Sequence, residues 1–525
     1  MTGRTTPPAA LAPTSLLLRE ARLVGASEPV DVRLHAGRTT AIAPSGVLVP
    51  QRGEDVVALQ GRWVLPGLWD AHVHLVQHAL AARRLDVSAG GSAHETADLV
   101  AAHLAREGGD GGAGDVPGAS APPDTATVVG FGFRDATWPD LPTTELLDRA
   151  AGGRAVVLVS GDLHCGWFSS AALTRFGLEA DASGLVREDD FLPIAGSLDD
   201  ADDARRDEWV RQAARSAPRR GVVGISDFEA EHPLSWSRRA LGGPGGDGVA
   251  SGISVRVRAG VWPQFLDEAI SAGRRTGDAL PHSPRDAVGQ AMLTAGPLKV
   301  ITDGSLNTRT AYCHDPYPGT ADRGVLTYAP DELRDLMRRA HAAGITSAIH
   351  AIGDDACGLA LDAFEATAAR GSIEHAQLLT AADVPRFAAL GVVASVQPAH
   401  LLDDREVAEE LWSGRTSRAF VLASLLEQGA QLALGSDAPV APLDPWLAIA
   451  AAVRRTGDDR PAWHGEQRIG ATAALAASTN GRGTRPSVDD VADLVISDVD
   501  PLEAEPHARV AGTLLAGEWT YRDGV

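Results

Sequence analysis

The sequence predicts an α/β protein: a (β/α)8 TIM barrel with a large insertion after its first strand, joined to a small β-sandwich domain built from both chain termini. Three observations predict it. Eight apolar runs that end in polar residues recur between residues 63 and 437, and Ala-, Leu- and Arg-rich helical stretches separate the later ones, the pattern of a parallel sheet. Short β-like runs crowd both ends of the chain. Residues 78–220, between the first two apolar runs, are far too many for a βα loop and need structure of their own.

At the N-terminus the β-like runs are Leu16 to Val24, Val30 to Leu34, Thr39 to Ile42 and Val56 to Leu59; at the C-terminus they are Ala492 to Ile496 and Thr513 to Tyr521. Chain ends often lie close together, so the two groups are expected to form one composite domain from residues 1–62 and 478–525. The barrel is assigned to 63–77 and 221–477, and 78–220 to an inserted subdomain that contributes to the substrate pocket.

The eight barrel runs are Trp63 to His74, Val222 to Phe228, Ile253 to Trp262, Leu298 to Asp303, Ile345 to His350, Ser372 to His375, Val392 to Gln397 and Gln431 to Asp437. Helices are expected over Pro330 to Ala343, Ala356 to Arg370 and Ala381 to Ala389, after the fourth, fifth and sixth runs. Gly108 to Pro123 and Gly242 to Gly252 read as Gly-rich surface loops.

Composition narrows the function classes. The 525 residues carry 47 Lys plus Arg against 69 Asp plus Glu, a net charge of −22 that repels nucleic acid and anionic lipid. Cys165, Cys313 and Cys357 have no CxxC spacing, so neither a disulfide framework nor a thiolate zinc site is expected, and a reducing cytoplasm fits. No signal peptide is read in Met1 to Arg19, and no apolar run reaches the roughly 18 residues of a spanning helix. The expected partner is a small-molecule substrate.

The chemistry-bearing residues fall at strand ends. Alternation along the first run points His72 and His74 the same way, able to grip one metal ion or merely to cap the strand. His350, His375 and Asp437 close the fifth, sixth and eighth runs, and a barrel gathers such ends at one mouth. Lys299, on the fourth run, is the single lysine among otherwise arginine-only basic residues. As a carbamate it would supply two oxygens to a pair of ions about 3.5–4 Å apart; the alternative is a buried ion pair with Asp303. Neutral imidazole suits zinc. Asp437 could orient water and carry its proton, or cap a helix before Ala438-Pro439.

The segment Leu65-Pro66-Gly67-Leu68-Trp69-Asp70-Ala71-His72-Val73-His74 resembles the opening of the amidohydrolase superfamily of metal-dependent hydrolases. Lys299 with Thr302-Asp303-Gly304-Ser305-Leu306, Arg309-Thr310-Ala311, His350-Ala351-Ile352-Gly353-Asp354, Ile373-Glu374-His375-Ala376-Gln377, Ser395-Val396-Gln397-Pro398 and Gly435-Ser436-Asp437-Ala438-Pro439 resemble its YtcJ-like branch, which includes N-substituted formamide deformylases. The resemblance implies His72 and His74 on a first metal, His350 and His375 on a second, N6-carboxylated Lys299 as the bridge, and Asp437 as ligand and general base. It also implies a homodimer as the usual assembly.

In the insertion, Asp162-Leu163-His164-Cys165-Gly166-Trp167 resembles the branch's pocket motif, so His164 and Trp167 are expected on substrate, the alternative for His164 being a satisfied structural histidine. Asp303, Arg309, Gln397 and His400 complete the expected substrate contacts. Two departures stand out. Asn307-Thr308 occupies the place of a glycine and a small residue, which puts a side chain into the expected pocket wall, and Asp490-Val491 replaces a Gly-Lys pair remote from it. The implied activity is hydrolysis of a non-peptide, amide-type C–N bond by metal-activated hydroxide; the alternative is a metal-binding barrel that binds or regulates without turnover.

Overall fold

The computed structural model describes residues 15–109, 126–191, 193–199, 201–241 and 253–525. The centre is a parallel sheet of eight strands: β1 (Leu68–Val73), β2 (Val222–Asp227), β3 (Arg256–Val261), β4 (Leu293–Ile301), β5 (Ser347–Ala351), β6 (Gly371–His375), β7 (Val393–Val396) and β8 (Leu432–Leu434). Each pairs with the next, so the spatial order is the chain order and the sheet curls into a nearly closed barrel.

Beyond β8 the chain meets β1 again. The Asp437 N–H donates to the His72 carbonyl at 2.8 Å, and the His74 N–H donates to the Ala438 carbonyl at 2.9 Å. The Ser436 N–H donates to the Asp70 carboxylate at 2.9 Å. Gly435 permits this approach, since a Cβ there would stand 2.7 Å from the His72 nitrogen.

Helices cover the sheet for local reasons. Pro330–Ala342 starts with Pro at its first turn, and Glu332 reaches back to the Ala329 N–H at 3.0 Å. Leu333, Met337 and Ala340 recur every three or four residues and are its buried face, against Leu298, Val300 and Ile349. Each such large apolar side chain contributes about 1.5–3 kcal/mol by burial. Asp354–Thr367 adds Leu361 and Phe364 to the same core, and Val384–Leu390 adds Phe387.

The first apolar run is split at Gly67. Trp63–Pro66 pairs antiparallel with Leu494–Ser497 in a four-stranded sheet completed by Val510–Leu515 and Glu518–Arg522, and only Leu68–Val73 enters the barrel. A Cβ at Gly67 would approach Val223 to 2.4 Å, so the chain can turn against β2 only with glycine there. A second four-stranded sheet comprises Ser15–Ala21, Val30–His35, Arg38–Pro44 and Asp55–Ala58. Leu18, Val32 and Leu34 from this sheet share a buried cluster with Val64, Leu494, Ile496 and Leu514 from the other.

Between β1 and β2 lies a five-stranded sheet in the order Leu185–Arg187, Cys165–Phe168, Val156–Ser160, Val128–Phe133, Leu85–Asp86, packed on helices Ala93–Gly109 and Thr144–Ala151. The Gly-rich loops expected at 108–123 and 242–252 lie outside the described residues, apart from residues 108 and 109, which end a helix. No helix among the described residues is long and apolar enough to cross a membrane.

Candidate metal centre at the barrel mouth

The C-terminal ends of the barrel strands bring His72, His74, Lys299, His350, His375 and Asp437 together. His72 is held from behind: its Nδ1 donates to the Glu374 carboxylate at 2.8 Å, which leaves Nε2 as an acceptor toward the cavity. The Lys299 amine, 3.3 Å from that Nε2, donates to it. Asp437 Oδ1 lies 3.5 Å from His72 Nε2 and 3.4 Å from His74 Nε2. The rings of His350 and His375 stand 4.5 Å apart between centroids, and His375 stands 5.0 Å from His72. His375 and Asp437 adopt positive φ, 71° and 59°, the kind of backbone strain that concentrates at functional sites.

Lys299 has no ion pair with Asp303. Its ammonium sits 4.7 Å from the centre of the Phe228 ring, and burial pushes it down to about 8 despite Glu374 and Asp437. Burial also pushes His72, His350 and His375 well below the usual histidine range, and the Lys299 charge adds to the effect. These rings are therefore neutral, the form that keeps a lone pair for a metal. Burial opposes ionisation of Asp437, but the hydrogen bond and charge of His74, with the charge of His400, hold it below the ordinary carboxylate range.

Two sets of ligand atoms lie within 4.8 Å of one another: His72, His74 and Asp437, and His375, His400 and Asp437. His375 Nδ1 and His400 Nε2 are buried without a hydrogen-bond partner. Orphaned imidazole nitrogens around a shared carboxylate fit a divalent metal such as zinc. His400, expected on substrate, is thus grouped with candidate ligands; His350 instead directs Nε2 toward the Gly304 carbonyl at 3.4 Å and Asp303 at 3.5 Å.

A cavity of about 170 Å³ opens over this cluster. The insertion supplies Arg134, Asp162, Leu163, His164 and Ala195 to its wall, and the barrel adds Glu229, Trp262, Asn307, Gln377 and Asp404. His164 donates from Nδ1 to Glu188 at 2.8 Å, and although burial disfavours its charge, Glu188 outweighs burial and raises it to about 9. Ser305 Oγ donates to Asp162 at 2.7 Å and Thr310 Oγ1 donates to Glu188 at 2.6 Å, so the loop after β4 is tied to the insertion. Asn307 lines the cavity as the sequence suggested, with its Nδ2 unpartnered.

Four expected substrate contacts do not line the cavity. Trp167 is fully buried in the insertion core, its indole N–H on the Thr143 carbonyl at 3.2 Å and its ring edge-on to Trp138. Asp303 accepts the N–H groups of Tyr312, Ile352 and Gly353 at 2.9, 3.0 and 2.8 Å, a use of the carboxylate that fixes loops rather than substrate. Burial raises Asp303 to about 7 against these bonds. Arg309 is exposed, and Gln397 sits behind the His72 ring, 3.4 Å from Nδ1. The sequence reading missed Glu374 and Glu188. Glu374 was visible beside His375, whereas no spacing links Glu188 to His164.

A model of the Amidohydrolase family matches residues 55–521. The chain is 29% identical over 515 residues to Protein LONG AFTER FAR-RED 3 of Arabidopsis thaliana, across 89% of this chain and 83% of that protein. It is 28% identical over 430 residues to Putative amidohydrolase YtcJ of Bacillus subtilis, across 76% and 74%. It is 25% identical over 515 residues to N-substituted formamide deformylase of Arthrobacter pascens, across 90% and 89%. The crystal structure of an uncharacterized metal-dependent hydrolase from Pyrococcus horikoshii shares the fold with a TM-score of 0.70, at 23% identity over 93% of this chain and 98% of that one. With the match running from the strand at Asp55 to the last strand, the chain belongs to the Amidohydrolase family.

Proposed function

We propose that this protein is a metal-dependent hydrolase that cleaves a non-peptide, amide-type C–N bond in a small molecule. The observation that carries the reading is the convergence of Lys299, five imidazoles and Asp437 at the barrel mouth, with His375 Nδ1 and His400 Nε2 left without hydrogen-bond partners. His72 and His74 would hold one divalent ion and His375, with His350 or His400, a second; zinc suits the donor set. Lys299, buried and poised near neutrality, is the amine to be N6-carboxylated as a bridge. When bound, the metals would polarise a carbonyl and make water acidic.

The protein's own groups supply the rest. Asp437 is placed to accept the proton of the attacking water and return it to the departing amine, so that the C–N bond breaks as a C–O bond forms and an acid and an amine leave. The protonated His164, held by Glu188, offers a charged donor to a substrate carbonyl. The insertion and the loop around Asn307 shape the pocket. The similarity to a formamide deformylase supports C–N hydrolysis as the class. The test is metal analysis with a panel of formamides, acylated amines and cyclic amides: at least one metal per chain and turnover that Asp437→Asn abolishes are expected. Metal retained with no turnover on any amide would favour a binding or regulatory role, and a metal-free native protein would reject the reading.

A further inference from the structure

A second cavity, of about 240 Å³, lies at the opposite end of the barrel, where Trp69, Val223, Arg256, Arg258 and Thr294 stand at the N-terminal ends of β1 to β4. Two of its three arginines are neutralised. Arg256 grips Asp493 with two bonds of 3.1 Å and meets Asp286 at 2.6 Å, and Arg482 meets Asp493 Oδ2 at 3.1 Å. Two cations thus face two carboxylates.

Arg258 is different. Among the described residues it has neither a carboxylate nor a hydrogen-bond acceptor; its guanidinium rests 4.4 Å from the centre of the Trp69 ring and is only half-buried. Arginine does not shed its charge at ordinary pH, so a full positive charge with five N–H donors faces the cavity. Burial holds this cation below the ordinary arginine range, and among the described residues no acid offsets it. The Trp69 indole N–H is buried without an acceptor as well. Both unsatisfied groups are donors, and the guanidinium, the one that is partly accessible, would be completed by oxygen acceptors carrying negative charge. Gln290 and Asn480, exposed at the rim, add neutral amides and no negative charge. In a chain of net charge −22, an uncompensated arginine in a concave site is a specific exception.

We propose that this cavity is a binding site for a small oxyanion, a carboxylate or phosphate group, with Arg258, seated on the Trp69 ring, as its principal ligand. The site is separate from the metal centre and independent of the reaction assigned to it.

The experiment is calorimetric titration of chelator-treated protein with inorganic phosphate and, in a second arm, with malonate; chelation keeps anions from binding through metals. Saturable binding of at least one anion is expected, and the arm that binds tighter tells phosphate from carboxylate. Arg258→Gln should weaken it by at least about tenfold, the scale of losing charged hydrogen bonds. Should that variant fail to fold, Asn480→Asp at the exposed rim sets a like charge beside the ligand and should weaken binding without touching the core. Absence of saturable binding to either anion, or equal affinity in every folded variant, overturns the proposal.

Discussion

The amine of Lys299 lies 3.3 Å from Nε2 of His72, on the side of the ring away from Glu374. An amine beside a neutral imidazole, with burial outweighing the pull of Glu374 and Asp437 on its proton, is suited to conversion into an anion. Substituting Lys299→Ala should lower the bound metal, read by elemental analysis, and short carboxylates added to the medium should restore part of the activity. Intact mass under mild conditions should show an added carboxyl in the unsubstituted protein alone.

Glu374 fixes which nitrogen of His72 carries the proton. Glu374→Gln should therefore cost about 10–100-fold in metal affinity, as loss of a partner behind a ligand commonly does. Competition with a chromophoric chelator measures it, and an affinity equal to the unsubstituted protein's would show that the 2.8 Å bond has no such role.

Asp437→Asn removes the proposed proton carrier while preserving shape. A fall in kcat of about 10²–10⁴-fold is expected on any amide that is turned over, the usual weight of a positioned acid–base group.

Glu188 gives a pH signature. His164 is raised to about 9 in the folded chain, with burial opposing and Glu188 prevailing, against an ordinary value of about 6.5. A raised histidine stabilises the fold fully below its unfolded value and loses that contribution as pH rises through about 9. The thermal midpoint measured from pH 6 to 10 should fall across this window, and Glu188→Gln should flatten the fall.

Asp303 is a structural acceptor for three backbone N–H groups. Asp303→Ala should destabilise by about 3 kcal/mol or more, because buried donors are left unpaired. Denaturant unfolding would show this, with no change in which amides are cleaved among those still hydrolysed.

Much of this was legible in advance, for definable reasons. Polar residues at the ends of the first, fifth, sixth and eighth apolar runs mark the barrel mouth, so His72, His74, His350, His375 and Asp437 could be gathered from strand ends, whereas Lys299, early in its run, stood out as the single lysine of the sequence. The split at Gly67 was not legible, because β1 and the strand before it are equally apolar and only Val223, far along the chain, makes the turn necessary. Trp167 was misplaced for a related reason: it lies three residues from His164, but strand alternation sends the two to opposite sides, one into the core and one to the cavity. His400 was expected at the mouth and lines the cavity, but its grouping with His375 and Asp437 was not legible, because it starts a helix rather than closing a strand.

The seam of the barrel has a consequence for biosynthesis. The same few amide contacts that join the chain after β8 to β1 also seat Asp437 beside His72, and the Asp70–Ser436 bond spans 366 residues of sequence. During translation His72 and His74 must wait for Asp437 until nearly the whole polypeptide has emerged. Loading of the proposed metals that needs Asp437 would thereby be deferred to a late stage of folding, and a truncated product ending before Gly435 would leave the ribosome without Asp437 beside His72.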